Sequence, residues 1–406
     1  MKTLHILLFC LITISLPLKS QDEEYKQPKH ELYGYVSAMP YLMHQSLGDT
    51  SITYMQDLVH NRLNFKWYPS NSITATVQLR TQFLHGDMIK ESTYPDGLET
   101  EAYFMPLSLY WNATGNSVLY SSIDRLWVQY MAGNFEATIG RQRINWGQTF
   151  VYNPNDIFNS YNFFDFDYAE KPGADAIRLQ YYTGFTSSLE IAAKIDSASN
   201  VTAAALFKFN KWNYDVQLLA GYYSSYTSNE LFQYEETEDY VAGIGWSGDF
   251  FGMSFRGEMS YFQPVENFSD TSGLLVSSFA LDYTFTNEMY ASVEFLYQDI
   301  DNASLTSFND FYGGTRSSKN MSATKYNLVG QLTYPISPII NLSLAGMYFF
   351  QDDFDGFYAG PTLSISTTKN TELSVIYQFF GFKEPILTQD KWMSMHLAFA
   401  RFRLSF

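Results

Sequence analysis

The sequence contains a single cysteine, Cys10, which lies close to the N-terminus. If this end is removed during export, the remaining chain has no cysteine. Such a chain has no disulfide framework, no thiolate nucleophile and no cysteine-bound metal. Its stability must come from packing and backbone pairing.

Long apolar runs are also missing. No stretch of about 18 uninterrupted apolar residues follows residue 20, so a transmembrane helix is not expected there. The run Leu4–Leu16 is shorter than that, follows Lys2 and precedes the polar exit Leu18-Lys19-Ser20. This order is typical of a secretory signal peptide, and an uncleaved membrane anchor is the alternative. We predict a signal peptide at residues 1–20 and a short polar segment at residues 21–30.

Positive charge is scarce. The chain has 25 lysines and arginines against 42 aspartates and glutamates, a formal net charge of −17. Loss of the signal peptide would remove Lys2 and Lys19 but no acidic residue, so the exported chain would be more acidic still. A chain of this charge repels nucleic acid, which excludes that class of partner.

Aromatic residues, by contrast, are abundant. They make up 18% of the chain, with 34 Phe, 32 Tyr and 7 Trp. A soluble domain would have difficulty burying so many rings. A membrane β-barrel has a place for them, because Tyr and Trp favour the membrane–water interfaces and Phe faces lipid.

Polar and apolar residues alternate along many short segments. One segment runs Arg62, Leu63, Asn64, Phe65, Lys66, Trp67. The same alternation recurs in residues 77–83, 125–130, 177–181, 255–261 and 293–298. Repeated alternating segments of about ten residues are typical of transmembrane strands, which face lipid on one side and water on the other. A soluble exported β-sandwich is the alternative.

These features predict an all-β fold, a transmembrane antiparallel β-barrel of about 18 strands (roughly 16 to 20), in one domain over residues 31–406. A barrel of that size encloses an aqueous lumen unless loops plug it. Tight turns are predicted at residues 68–72, 132–134, 247–249 and 367–370. Long polar loops are predicted at residues 86–117, 224–239, 299–323 and 380–391.

The C-terminal strand ends on an aromatic residue. Phe402, Leu404 and Phe406 share one face of that strand with Ala398 and Ala400. This ending resembles the signal that the barrel-assembly machinery of the outer membrane reads on its substrates. The alternative is a final strand that simply ends in Phe.

One stretch, residues 139–175, departs from regular alternation. If Ile139 faces lipid, strict alternation also points Arg141 and Arg143 outward, at a cost of ~2–4 kcal/mol each in mid-membrane. We therefore predict either a β-bulge near Gly140 or a strand that has left the hydrocarbon by Arg141. The residues that follow are rich in aromatic rings, which would form a large exposed apolar patch in water. We predict that residues 144–173 form an aromatic loop folded into the barrel.

Four short motifs in this region carry a resemblance. They are Gly140-Arg141-Gln142, Trp146-Gly147, Asn153-Pro154 and Pro172-Gly173. Over residues 122–182 the chain resembles a family of porin-like outer-membrane barrels, mostly uncharacterised and allied to alginate-export porins. The resemblance implies a pore lined by many arginines. In this chain the inward candidates mix arginines with acidic residues such as Glu258, Asp282 and Glu294.

The predicted site is a constriction. Wall residues Arg125, Arg141, Arg143 and Arg178 would face three aspartates of the infolded loop, namely Asp156, Asp165 and Asp167. Opposed charges across a narrow lumen orient polar solutes and set ion preference. The alternative is that these charges only pair with one another and anchor the loop.

Catalytic and metal sites are not expected. The histidines that follow the signal peptide (His30, His44, His60, His85 and His396) lie in no recognisable nucleophile motif. The acidic cluster Asp352–Asp355 could clasp Ca²⁺, but it lacks the later glutamate of an EF-hand loop. No cofactor is predicted.

The sequence thus predicts a porin-like channel for passive diffusion of small polar or charged solutes, in the outer membrane of a Gram-negative bacterium. Its partners would be outer-membrane lipid and lipopolysaccharide, the barrel-assembly machinery and the solutes themselves. The alternative is a plugged, non-conducting barrel that acts as a scaffold for a surface complex.

Overall fold

The computed structural model describes residues 28–90, 103–159, 170–228, 234–266, 268–269, 272–300, 317–322, 324–351, 354–383 and 391–406. One antiparallel sheet contains the strands β1 (His30–Leu47), β2 (Thr50–Ser70), β3 (Ile73–Gly86), β4 (Ser108–Thr114), β5 (Ser117–Ala132), β6 (Phe135–Gln142), β7 (Ala174–Tyr182), β8 (Ser188–Ile195), β9 (Val201–Lys211), β10 (Tyr214–Ser228), β11 (Tyr234–Phe250), β12 (Met253–Pro264), β13 (Leu274–Thr284), β14 (Tyr290–Gln298), β15 (Tyr326–Ser337), β16 (Ile340–Gln351), β17 (Phe354–Ser366), β18 (Thr371–Lys383) and β19 (Met393–Ser405). A short 3-10 helix covers Met88–Lys90. No helix within these ranges is long and apolar enough to cross a membrane.

The sheet closes on itself because β19 pairs with β1. At the seam, the Phe406 amide donates to the Gly34 carbonyl (3.0 Å) and the Gly34 amide donates to the Phe406 carbonyl (2.9 Å). Closure gives every named strand except β4, which pairs with β5 alone, a partner on both edges. A sheet in hydrocarbon requires such pairing. The predicted transmembrane antiparallel barrel is confirmed.

Nineteen strands occupy eighteen positions in the wall, because β4 and β6 share one. β6 pairs with one half of β5, where Leu126 faces Arg141. β4 pairs with the other half of β5, where Ser122 faces Ser108. The predicted number of about 18 is therefore confirmed for the closed wall.

The two faces of each strand differ in exposure as the alternation predicts. On β2, Arg62 and Asn64 are 2% and 7% exposed, whereas Phe65 and Trp67 are 39% and 51% exposed. The apolar side chains therefore cover the outer surface, and the polar ones point into the barrel.

The two ends of the barrel differ in their connections. One end, the turn end, carries the start of β1, the end of β19 and short turns, such as the turn at Gly133 (φ +56°) between β5 and β6. The opposite end, the loop end, carries the long connection between β6 and β7. In outer-membrane barrels the short turns are periplasmic.

Three predicted connections are wrong, one of them because the predicted loop at residues 86–117 contains β4. Residues 247–249 belong to β11, and the turn that follows is Phe251–Gly252, with φ values of 54° and 82°. Residues 224–239 were expected to form a polar loop, but Ser224 pairs with Glu238 in extended β10 and β11. β10 and β11 continue beyond the lipid here, where a strand no longer needs apolar side chains. Their polar residues therefore gave the pattern of a loop.

The irregularity predicted near Gly140 lies on the neighbouring strand. Pairing of β6 with β5 runs without a shift through Gly140. On β5, Gln78 of β3 faces Arg125 while Leu79 faces Ile123, so Asp124 is an extra, bulged residue. The bulge allows Asp124 and Arg125, both buried, to point to the same side. β6 itself ends at Gln142, one residue after Arg141.

Candidate functional site on the inner wall

After β6 the chain leaves the wall, and residues 144–159 are hydrogen-bonded to five strands: β8, β10, β11, β12 and β14. This segment contains no regular helix or strand. Its backbone groups therefore need other partners.

Glu258 of β12 binds the backbone of this segment. Its carboxylate accepts hydrogen bonds from the amides of Gln148, Thr149 (2.8 Å) and Asn155 (2.9 Å), and from the Thr149 hydroxyl (3.0 Å). Hydrogen bonds to an ionised group are shorter and stronger than neutral ones. One wall carboxylate thus fixes both ends of the turn that residues 148–155 make.

Glu294 of β14 binds the middle of the same turn. Its carboxylate accepts from the amides of Phe150 (3.0 Å), Val151 (3.0 Å) and Tyr152 (2.7 Å). The Ser278 hydroxyl donates to it as well (3.0 Å). Successive amides that converge on one carboxylate form an anion-binding nest, here occupied by the protein's own side chain.

Further contacts fix the start and the end of the segment. The Trp146 indole donates to Glu190 of β8 (2.6 Å), and the Gln217 amide of β10 donates to the Trp146 carbonyl (2.6 Å). At the other end, the Lys194 ammonium of β8 donates to the Phe158 carbonyl (3.0 Å). The segment is held along its length by wall side chains.

A small apolar core lies between the segment and the wall. Ile144, Trp146 and Phe158 are almost fully buried, together with Leu206 and Leu219 of the wall. The rings of Trp146 and Phe158 meet edge to face, with centroids 4.8 Å apart. This geometry is favourable for aromatic pairs and adds to the burial of both rings.

Arg125 is buried on the inner side of the β5 bulge. Its guanidinium lies 3.1 Å from the Asp124 carboxylate and donates to the backbone carbonyls of Glu170 and Lys171. It therefore holds the chain that returns toward β7.

Arg141 is fully buried at the end of β6. It donates two hydrogen bonds to Asp175 of β7 (2.8 and 3.1 Å), one to the Ile123 carbonyl (3.0 Å) and one to the Met105 carbonyl. Its guanidinium also lies 3.9 Å from the centre of the Tyr103 ring. Arg141 thus joins β5, β7 and the chain before β4 at the place where β6 stops.

The other two predicted arginines lie apart from each other. Arg178 pairs with Glu136 of β6, which also accepts a hydrogen bond from Gln129 (2.8 Å). Arg143 is exposed, and its guanidinium lies 3.4 Å from the Asn145 side chain.

Asp156 is the one predicted aspartate within the described ranges, because Asp165 and Asp167 lie outside them. Asp156 is buried, with the Lys171 ammonium 3.9 Å away. Burial raises the pKa of the Asp156 carboxyl, and the charges of Lys171 and Arg143 partly oppose that rise. Of the acidic cluster Asp352–Asp355, residues Asp352 and Asp353 also lie outside the described residues.

The structure therefore pairs Arg125, Arg141 and Arg178 with wall carboxylates and brings Asp156 to Lys171. Sequence reasoning missed Glu258, Glu294 and Glu190 as the groups that bind the segment. A single glutamate at an inward strand position was the only available signal. It shows that the residue faces the interior without showing what it meets across the barrel.

Basic residues gather on the wall opposite these glutamates. Arg62, Arg80, Arg401 and Arg403 point inward from β2, β3 and β19. In a wall of eighteen positions, β12 stands nine positions from β2, directly across the lumen. Arg62 is paired with Asp124 and Arg401 with Glu372. The interior thus carries inward arginines, part of them ion-paired, on one side and the anchored segment on the other. In the part of the chain that is described, no cluster of His, Cys, Asp and Glu could hold a metal ion.

Together, the closed wall, the apolar outer face and the charged interior are those of an outer-membrane β-barrel.

No protein-family model and no curated protein sequence matches the chain. Among solved structures, Acinetobacter baumannii OccAB2 is similar with a TM-score of 0.55 at 9% identity, covering 92% of this chain and 98% of that one. For Pseudomonas aeruginosa OccK2 (OpdF) the values are 0.55, 8%, 92% and 98%.

A third similar structure is the outer membrane protein opdK from Pseudomonas aeruginosa. Its TM-score is 0.52 at 9% identity, and the match covers 93% of this chain and 99% of that one. At such identities the likeness concerns the fold alone.

Proposed function

We propose that the chain is a porin-like channel for passive diffusion of small polar or charged solutes across the outer membrane of a Gram-negative bacterium. The observation that carries this proposal is the division of the interior, with inward arginines facing the anchored segment 144–159 across the barrel. Charge fixed on opposite sides of a wet lumen orients solutes and selects among ions. The proposal involves no catalytic step and no cofactor.

Within this proposal, segment 144–159 narrows the lumen. Arg143 is exposed, and we assign it to contact with solutes. Arg125, Arg141 and Arg178 hold the segment and the adjoining wall in place. Asp156, together with Asp165 and Asp167 of the predicted loop, would complete the constriction.

Conductance tests the proposal directly. Refolded protein lacking residues 1–20 should open ion-conducting channels in a planar lipid bilayer. Its folded state is verified by its heat-dependent migration in detergent gels. If folded protein gives no channel events, the proposal is wrong.

A specific observation favours a second candidate, a plugged barrel that acts as a scaffold for a surface complex. The apolar contacts of Trp146 and Phe158 resemble a packed core more than a wet lumen. Absence of conductance, with normal assembly in the membrane, is the result that this candidate predicts.

The motif at Gly140-Arg141-Gln142 supports a finer proposal, kinship with the porin-like barrels allied to alginate-export porins. The partners that belong to this function are outer-membrane lipid and lipopolysaccharide, the solutes, and the barrel-assembly machinery. For the last of these, Phe402 and Phe406 are well placed, since both are about half exposed on the outer face of β19.

A further inference from the structure

The outward face of β2, β3 and β5 differs from that of β15 and β16. On β15 and β16 the outward side chains are apolar, for example Leu328, Leu332 and Leu344, each more than 40% exposed. On β2, β3 and β5 the outward positions include two polar rows. One row contains Asp57, His85 and Ser117, and the other contains Asn61, Thr81 and Ser121.

The second row lies within the depth of the lipid. Trp67 stands near the turn end of β2 on the same outward face, where Trp typically marks the interface. A tilted strand crosses the hydrocarbon in about ten residues. Asn61 therefore lies inside the apolar zone, and Asp57 reaches its loop-end boundary.

Neighbouring side chains satisfy only part of these polar groups. Ser121 donates to the Thr81 hydroxyl (3.0 Å), and His85 Nδ1 lies 2.8 Å from the Ser117 hydroxyl. Among the described residues, Asp57 has no hydrogen bond or ion pair, and His85 Nε2 has no partner. A carboxylate that faces lipid is costly, so a surface that supplies it with a partner gains stability.

We propose that this face of β2, β3 and β5 is the interface with a second copy of the chain, related by a two-fold axis that runs parallel to the barrel axis between β2 and β3. Because Asp57 and His85 are directly opposite each other on these strands, the axis brings Asp57 near the partner's His85 and His85 near the partner's Asp57. A two-fold interface must be self-complementary. The two rows meet this requirement, because Asp57 and His85 of each copy face the other residue type across the axis.

Cross-linking of single cysteines tests the proposal, because the chain after residue 20 has no other cysteine. Val59 lies between the two polar rows on β2. V59C in outer-membrane vesicles should give a dimer with a short bis-thiol reagent. The matched control L328C, also outward but on β15, six wall positions from β2, should remain monomeric. Equal cross-linking of both variants, a trimer, or no dimer at all would each overturn the proposal.

Exchanging the charges of Asp57 and His85 distinguishes a specific interface from chance proximity of two copies in the membrane. In the V59C background, D57K should lower the dimer fraction severalfold, and D57K combined with H85E should restore it, because the opposite charges again meet across the axis. The heat-dependent gel shift verifies that each barrel is folded. A dimer fraction that D57K leaves unchanged contradicts the proposed contact. These measurements do not depend on whether the barrel conducts.

Discussion

At the scale of single residues, Arg141 illustrates how a side chain predicted to line a pore can have another position. Strict alternation would point Arg141 toward lipid, which is costly for an arginine. The sequence therefore predicts that Arg141 lines the pore and contacts solutes. The structure instead encloses it between β5, β7 and the Met105 carbonyl. Its donors are used for holding the wall together where β6 stops.

We expect R141A to destabilise the barrel by about 3 kcal/mol or more, because it leaves the buried Asp175 carboxylate without its ion-pair partner. The exposed Arg143 provides the control, and R143A should change stability little. Urea unfolding in detergent, followed by tryptophan fluorescence, measures both. Similar midpoints for the two variants would show that the Arg141 contacts contribute little.

The inward arginines of β3 and β19 give a second prediction at this scale. R80E together with R403E should shift ion selectivity toward cations, because both side chains point into the lumen. K369E, in the exposed turn after β17, is the control, because it also replaces a positively charged side chain with a negatively charged one. Reversal potentials across a salt gradient report the shift. Unchanged potentials in the double variant would remove these arginines from the ion path.

At the scale of elements, segment 144–159 depends on the wall more than on its own structure. Two glutamates receive six of its backbone amides, so their charge replaces the pairing that a helix or strand would supply. A loop anchored in this way is a fixed part of the interior. Its shape is decided by β12 and β14, which lie far from it in sequence.

We therefore expect E258Q combined with E294Q to loosen this segment. A hydrogen bond to a charged group contributes about 1.5–3 kcal/mol, and each amide substitution removes the charge from several of them. Hydrogen exchange of the amides of residues 148–155 should accelerate severalfold, while strand amides stay protected. E238Q, on the exposed part of β11, is the control. If protection persists in the double variant, the carboxylate charges do not hold the segment.

At the scale of the whole molecule, Phe406 contributes to closure of the barrel. Phe406 exchanges two backbone hydrogen bonds with Gly34 and completes the β1–β19 seam. Its ring is about half exposed on the outer face, where the predicted assembly signal would be read. Phe406 thus helps to close the wall. By our proposal, the assembly machinery also recognises this residue before the wall closes.

Deletion of Phe406 should lower the amount of folded barrel in the outer membrane severalfold, because it removes the closing bonds and the aromatic end together. F406A keeps the backbone bonds, so a loss with F406A as well assigns the effect to the ring. F185A, in the exposed turn after β7, should assemble normally. Gel-shift quantification of isolated outer membranes measures all three, and full assembly without Phe406 would contradict the proposed signal.

The sequence by itself determined the strand pattern, the strand number and the face of residues such as Arg62 and Phe65. These follow from a local rule, since a chain that meets lipid on one side and water on the other must alternate with a period of two. The rule failed where strands pass beyond the lipid, as in residues 224–239, and it misplaced the turn at Phe251–Gly252.

Only the tertiary structure decided that Arg141 meets Asp175, that Glu258 and Glu294 bind segment 144–159, and that β4 and β6 share one position in the wall. These contacts join residues up to 144 positions apart. Which contacts form depends on the inward side chains that the closed wall brings together across the lumen. Local periodicity carries no information about the distances between those side chains.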